Sequence, residues 1–116
     1  MTIAVLSPDL LFSSRILAAA DAAGEPTLRL DAPSDLPPPA ELRLLLVDWA
    51  ARRPDWAPSL KSWCAGAPPA RVARVVLYGP HTDLAAHAEA RAAGLGPMWA
   101  RSRLLAELPR LVRPPV

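Results

Sequence analysis

Leu42-Arg43-Leu44-Leu45-Leu46-Val47, followed at once by Asp48, is the stretch that decides the fold. All but Arg43 of the residues before the aspartate are apolar, which excludes the apolar–polar alternation of a strand with one wet face. The run predicts a strand covered on both faces, central in a parallel sheet. Asp48 stands at its carboxyl end, and ligands of open α/β sheets meet the carboxyl ends of strands where strand order reverses.

Working outward, the N-terminal side supplies two more strands. Thr2 to Leu6 is apolar almost throughout and is broken by Ser7-Pro8-Asp9, because proline cannot extend a central ladder. A helix is predicted from Asp9 to Ala23, with Phe12, Ile16, Ala19, Ala20 and Ala23 on one face and Gly24 as its stop. Thr27 to Leu30 reads as the second strand. The stretch from Asp31 to Pro39 is too short and proline-rich for a full helix, and a loop with at most one helical turn is expected.

On the C-terminal side the chain is irregular from Trp49, with a short helix expected near Pro58 to Ala65. Val72 to Tyr78 reads as strand four, ended by Gly79-Pro80. Thr82 or His81 can cap a helix through Ala93, with Leu84, Ala88 and Ala92 inward and Gly94 closing it. A fifth strand covers Met98 to Ala100. Leu104, Leu105, Leu108, Leu111 and Val112 mark a last helix in which Pro109 must occupy the first turn or form a kink. Together these give an α/β fold: a doubly wound, five-stranded parallel sheet of flavodoxin-like (βα)5 type with a short or missing second helix. Residues 1–113 form one domain and 114–116 a frayed tail.

Composition narrows the class. At 116 residues the chain can bury one ordinary core, and 52% hydrophobic with 21% charged residues argues against disorder. No apolar run approaches a membrane span, and Met1 leads straight into a strand pattern without a basic lead or cleavage site, so the expected location is cytoplasmic. A net charge of +2 rests on twelve arginines and one lysine, Lys61. Arg52, Arg53, Arg71 and Arg74 are the densest group and read as a solvated surface, with no nucleic acid partner. Cys64 is alone, so it forms no internal disulfide and reads as a buried or half-buried thiol. His81 and His87 match no standard ligand spacing. Phosphate-loop, dinucleotide-loop and nucleophile-elbow motifs are all absent, which disfavours an NTPase, a dinucleotide enzyme and an esterase.

At the strand ends the sequence resembles the receiver domain of bacterial response regulators, the CheY-like proteins of two-component signalling. Leu44-Leu45-Leu46-Val47-Asp48 is similar to the family's strand ending in the phosphoacceptor aspartate, here Asp48. Ala88-Glu89-Ala90-Arg91-Ala92-Ala93-Gly94 resembles its fourth helix and glycine stop. Ile3-Ala4-Val5-Leu6-Ser7-Pro8-Asp9, followed by a helix carrying Arg15, fits its opening. The departures are as informative. Ser7 and Pro8 stand where receivers carry an acidic pair for magnesium, leaving Asp9 and Asp48 as weak candidate metal ligands. Gly79 stands in place of a hydroxyl residue, Arg101 in place of a lysine, and Ser102 in place of a proline. The resemblance therefore implies a degenerate pseudo-receiver with no cofactor beyond a doubtful magnesium ion.

Asp48 then has two roles open to it, a surviving phosphoacceptor or a structural partner of Arg101. Ser7, Pro8, Asp9, Gly79, Pro80, His81 and Arg101 complete the expected pocket. His81 is either an acid–base group or a helix cap, and the Gly79-to-Thr82 turn could hold an anion at a helix start. Trp49, Trp56 and Trp99 either form a partner surface, since Trp beside Arg is favoured there, or cover the core. The functional expectation is a stand-alone, non-enzymatic signalling module acting on a protein partner such as a histidine kinase or another signalling protein. The resemblance also implies a homodimer through the fourth helix, fifth strand and fifth helix, and no membrane partner. The alternatives are a phospho-accepting regulator using Asp48 and a small flavodoxin-like protein binding an anion at the Gly79 turn.

Overall fold

A computed structural model of the chain describes residues 2–66 and 73–114. Among them, β1 (Thr2–Leu6), β2 (Thr27–Leu30), β3 (Leu42–Asp48), β4 (Arg74–Tyr78) and β5 (Met98–Trp99) form one sheet. Four α-helices accompany it: α1 (Leu10–Ala22), α2 (Trp56–Ala65), α3 (Leu84–Ala92) and α4 (Arg101–Val112). Every strand pairing is parallel, in the order β2-β1-β3-β4-β5. That order is compatible with a flavodoxin-like fold and reverses between β1 and β3. Among the described residues no helix is long and apolar enough to cross a membrane.

The predicted central strand is central, and its burial explains the layers. Apart from half-buried Arg43, every β3 residue is buried. Leu45 and Val47 join Ala4, Leu6 and Leu77 in a cluster with Trp56 and Leu60 of α2 and Ala86 and Ala90 of α3. Leu44 and Leu46 join Ile3, Val5 and Val76 in a second cluster, with Ile16 of α1 and Leu104 and Leu108 of α4. Alternate side chains of a strand point to opposite faces, so a strand apolar at nearly every position has to be covered twice.

Local signals explain most of the boundaries. Asp9 caps α1, its Oδ1 accepting from the Phe12 amide at 3.0 Å. Gly24 and Gly94 take the left-handed backbone that closes α1 and α3. Between β2 and β3 there is no α-helix, only two three-residue 3-10 turns at Pro33–Asp35 and Pro39–Glu41. Cys64 is half-buried and free, and burial pushes its thiol pKa up.

Several expectations need correction. α3 is capped by Asp83, whose Oδ1 accepts from the amides of Ala85 and Ala86, and by neither His81 nor Thr82. Its buried residues are Ala86 and Ala90, while Leu84 is 82% exposed and Ala88 and Ala92 face solvent. In a helix built mostly of alanine, every face is about equally apolar, so the pattern could not fix the phase. Pro109 lies near the end of α4, which runs on to Val112, and not in its first turn. The first described strand residue of β4 is Arg74, and Val72 falls outside the described residues. So do Arg71 and residues 115–116 of the expected tail, whereas Pro114 is described and exposed.

One polar tie closes the far end of the sheet. Arg43 of β3 donates from Nη1 to the Leu111 carbonyl at 3.1 Å and from Nη2 to the Val112 carbonyl at 3.0 Å. The last carbonyls of a helix lack partners within it and carry its negative end, so a guanidinium suits them doubly. Glu25, 3.9 Å away, adds a carboxylate to the same group. Replacing Arg43 with Ala is expected to lower stability by on the order of 2 kcal/mol, read as a lower urea midpoint. Lys should recover only part of the loss, because it lacks the fork that serves two carbonyls at once.

Candidate functional site at the carboxyl ends of the strands

The turns that leave β1, β3, β4 and β5 bring Ser7, Asp9, Asp48, Tyr78 and Arg101 together. Asp48 ends β3 and is 2% exposed. Its Oδ2 accepts from the Ser7 hydroxyl at 2.8 Å, which joins the ends of the neighbouring strands β1 and β3. The same Ser7 Oγ accepts from the Asp9 amide at 3.0 Å, so the hydroxyl is held from both sides. Arg101, the first residue of α4, spans the mouth. Its Nη1 lies 3.6 Å from Asp9 Oδ2 and its Nη2 3.9 Å from Asp48 Oδ2. Those separations are ion-pair proximity without tight hydrogen bonding.

Two aromatic side chains, absent from the residues expected at this site, complete it. The Arg101 guanidinium stacks over Phe12 with its carbon 4.8 Å from the ring centroid. Phe12 packs in turn against Tyr78, the ring centroids 5.2 Å apart. Tyr78 is fully buried, and its hydroxyl has no hydrogen-bond partner among the described residues. Ser7 is close enough to act on the phenol as a hydrogen-bonding neighbour and opposes part of the rise in its pKa, without the geometry of a formed bond. Burial, and then the nearby Asp48 carboxylate, hold the Tyr78 pKa well above the ordinary phenol value. Asp48 Oδ1 is likewise buried without a partner. The sequence signals were an aromatic directly before the Gly79 break and another one turn into α1.

Magnesium, which the receiver resemblance implies, does not suit these donors. It asks for a near-octahedral set of hard oxygens. Here Asp9 Oδ1 caps α1, Asp48 Oδ2 is bonded to Ser7, and Arg101 brings positive charge to both carboxylates. Among the described residues no three His, Cys, Asp or Glu side chains converge.

The remaining expected residues lie around this cluster without joining it. Pro8 is exposed. Gly79 has φ +151°, and a Cβ built there would fall 2.9 Å from the Ala50 backbone nitrogen. Its amide donates to the Trp99 carbonyl at 2.9 Å. The φ and the Ala50 contact explain a glycine where a hydroxyl residue was sought: the loop after β3 leaves no room for a side chain. Pro80 and exposed His81 continue the turn, and the His81 carbonyl meets His87 Nε2 at 2.5 Å. Among the described residues the polar partners of Asp48 are Ser7 and Arg101, so His81 is not one. The amides that would hold an anion at the start of α3 are already served by Asp83.

Of the two readings of the tryptophans, the structure takes the one in which they cover the core. Trp49 is 0% exposed and donates from Nε1 to the Ala86 carbonyl at 2.9 Å. Trp56 is 2% and Trp99 8% exposed, the latter under Arg103 at 4.2 Å. They cover the core where short helices leave room for large side chains.

Comparison with models of protein families, with curated proteins and with solved structures finds no match to this chain.

Two substitutions check this geometry. Tyr78→Phe removes an unpartnered buried hydroxyl and is expected to raise stability by on the order of 1 kcal/mol. Because folding raises the phenol pKa, its contribution to stability is complete below the unfolded value of about 10 and declines as pH rises beyond it. The variant should flatten that alkaline decline, measured as urea midpoints between neutral and alkaline pH. Gly79→Ala should cost about 1–3 kcal/mol, since both its φ and the Ala50 contact oppose a Cβ.

Proposed function

We propose that this chain is a receiver-like signalling module of doubly wound (βα)5 type that acts through contacts with a protein partner. In this reading its strand-end pocket is a fixed polar tie in place of a metal-dependent phosphorylation site. The observation that carries it is the state of Asp48: buried to 2% exposure, bonded to Ser7, and closed over by an arginine anchored on Phe12. A carboxylate that attacks a phosphorus centre needs one oxygen open to the donor and positive charge on the phosphoryl oxygens. The Asp48 Oδ2 atom is bonded, Oδ1 is buried, and the nearby guanidinium is shared between two carboxylates.

The flavodoxin-like strand order and the convergence of Ser7, Asp9, Asp48 and Arg101 at the switch point between β1 and β3 support the receiver-like part of the proposal. The signalling part rests on the resemblance of the strand ends, and fold alone would not supply it.

The test is an NMR titration of isotope-labelled protein, first with magnesium and then with beryllofluoride, a mimic of a phosphorylated aspartate. The expected result is no saturable shift at Asp9, Asp48, Gly79 or Arg101 at millimolar magnesium, with or without beryllofluoride. Saturable shifts clustered on those residues would sink the proposal and make Asp48 a working phosphoacceptor.

A further inference from the structure

A second concavity lies between α2 and α3, formed by residues of both helices and of the segment between β3 and α2. It has a volume of about 710 Å³, is open to solvent along one side and lies within the size range of pockets that hold small ligands. Three cations, Arg52, Arg53 and Lys61, line it against one carboxylate, Glu89. Its floor is apolar and low: Ala57 and Ala93 belong to or pack on the core cluster beneath, and Pro58 stiffens one wall.

The charges in this cleft differ in their freedom. Arg52 is fixed, donating to both Glu89 oxygens at 2.5 and 3.3 Å and to the Trp49 carbonyl at 3.0 Å, with its guanidinium carbon 5.6 Å from the Trp49 ring centroid. The hydrogen bond to Glu89 raises the Arg52 pKa, and the same bond lowers that of Glu89. That pair is neutral as a unit. Arg53 and Lys61 are exposed and, among the described residues, make no ion pair. Lys61 is also the chain's single lysine. Two unmatched cations over an apolar floor complement a ligand with both negative charge and an apolar body.

We propose that the cleft between α2 and α3 binds a small organic anion, its phosphate or carboxylate between Arg53 and Lys61 and its apolar part on Ala57 and Ala93. Arg52, locked by Glu89 and Trp49, sets the wall against which such a ligand rests. Bare inorganic anions would gain the charge contacts and forgo the floor, and neutral aromatics would gain only the floor. Neither Asp48 nor Arg101 takes part, so this site stands or falls separately from the strand-end pocket.

The probe is phenyl phosphate, titrated into the labelled full chain and followed by NMR, with inorganic phosphate and phenol as parallel arms. The expected result is saturable shifts centred on Arg53, Ala57, Lys61 and Ala93, with phenyl phosphate binding at least about tenfold more tightly than either parallel compound. The double variant Arg53→Gln/Lys61→Gln should weaken phenyl phosphate by roughly tenfold or more, while Arg15→Gln on α1 leaves it unchanged. Equal affinity for phenyl and inorganic phosphate would overturn the proposal. So would shifts scattered over the other arginines, or binding undiminished in the double variant.

Discussion

The constraint on which this molecule turns is that β3 is dry along nearly its whole length and ends in a carboxylate. Leu44, Leu45, Leu46 and Val47 leave no face for water, so the sheet must be covered on both sides, by α1 and α4 over one and α2 and α3 over the other. The strand then delivers Asp48 into the same dry surroundings, where an ionised group needs a donor. Ser7 provides it from the adjacent strand. The bond between them is therefore a condition of closing the sheet at its carboxyl end as well as a feature of the pocket.

From that bond the rest of the pocket follows. Ser7 also receives the Asp9 amide, which sets the turn into α1 and puts the Asp9 carboxylate where it caps that helix. Phe12, one turn later, then faces Tyr78 and offers Arg101 an aromatic surface. Each group in the chain of contacts is held by the one before it. The buried part of the pocket resists rearrangement, because moving Ser7 would leave the Asp48 carboxylate short of its donor in a low-dielectric interior.

The sequence made some of this legible and hid the rest for physical reasons. The strands were readable because runs such as Thr2–Leu6 and Leu42–Val47 are too short for buried helices and too apolar for loops. The missing helix after β2 was readable from its prolines. Helix α3 was legible as a helix but not in phase: Ala86, Ala88, Ala90 and Ala92 are identical in hydropathy and cannot show which face is buried, and Asp83 was overlooked as the cap beside Thr82. The tryptophans stayed open between two readings for the opposite reason, since large aromatics beside arginines suit both a surface and a core edge, and the packing of Trp49 against α3 decides for the core. Ser7, Asp9, Asp48 and Arg101 were expected together from the resemblance. The parts played by Tyr78 and Phe12 depend on contacts between residues far apart in the chain, which no local pattern records.

Arg43 gives the domain a particular order of completion. Its two hydrogen bonds reach 68 and 69 positions down the chain, to the last turn of α4. During synthesis β3 emerges long before those carbonyls exist, and until they arrive a guanidinium on a central strand has no helix end to clasp. This tie between β3 and the last turn of α4 can therefore form only once the C-terminal helix is present. A chain cut short before Leu111 loses both acceptors of this half-buried guanidinium at the amino end of β3.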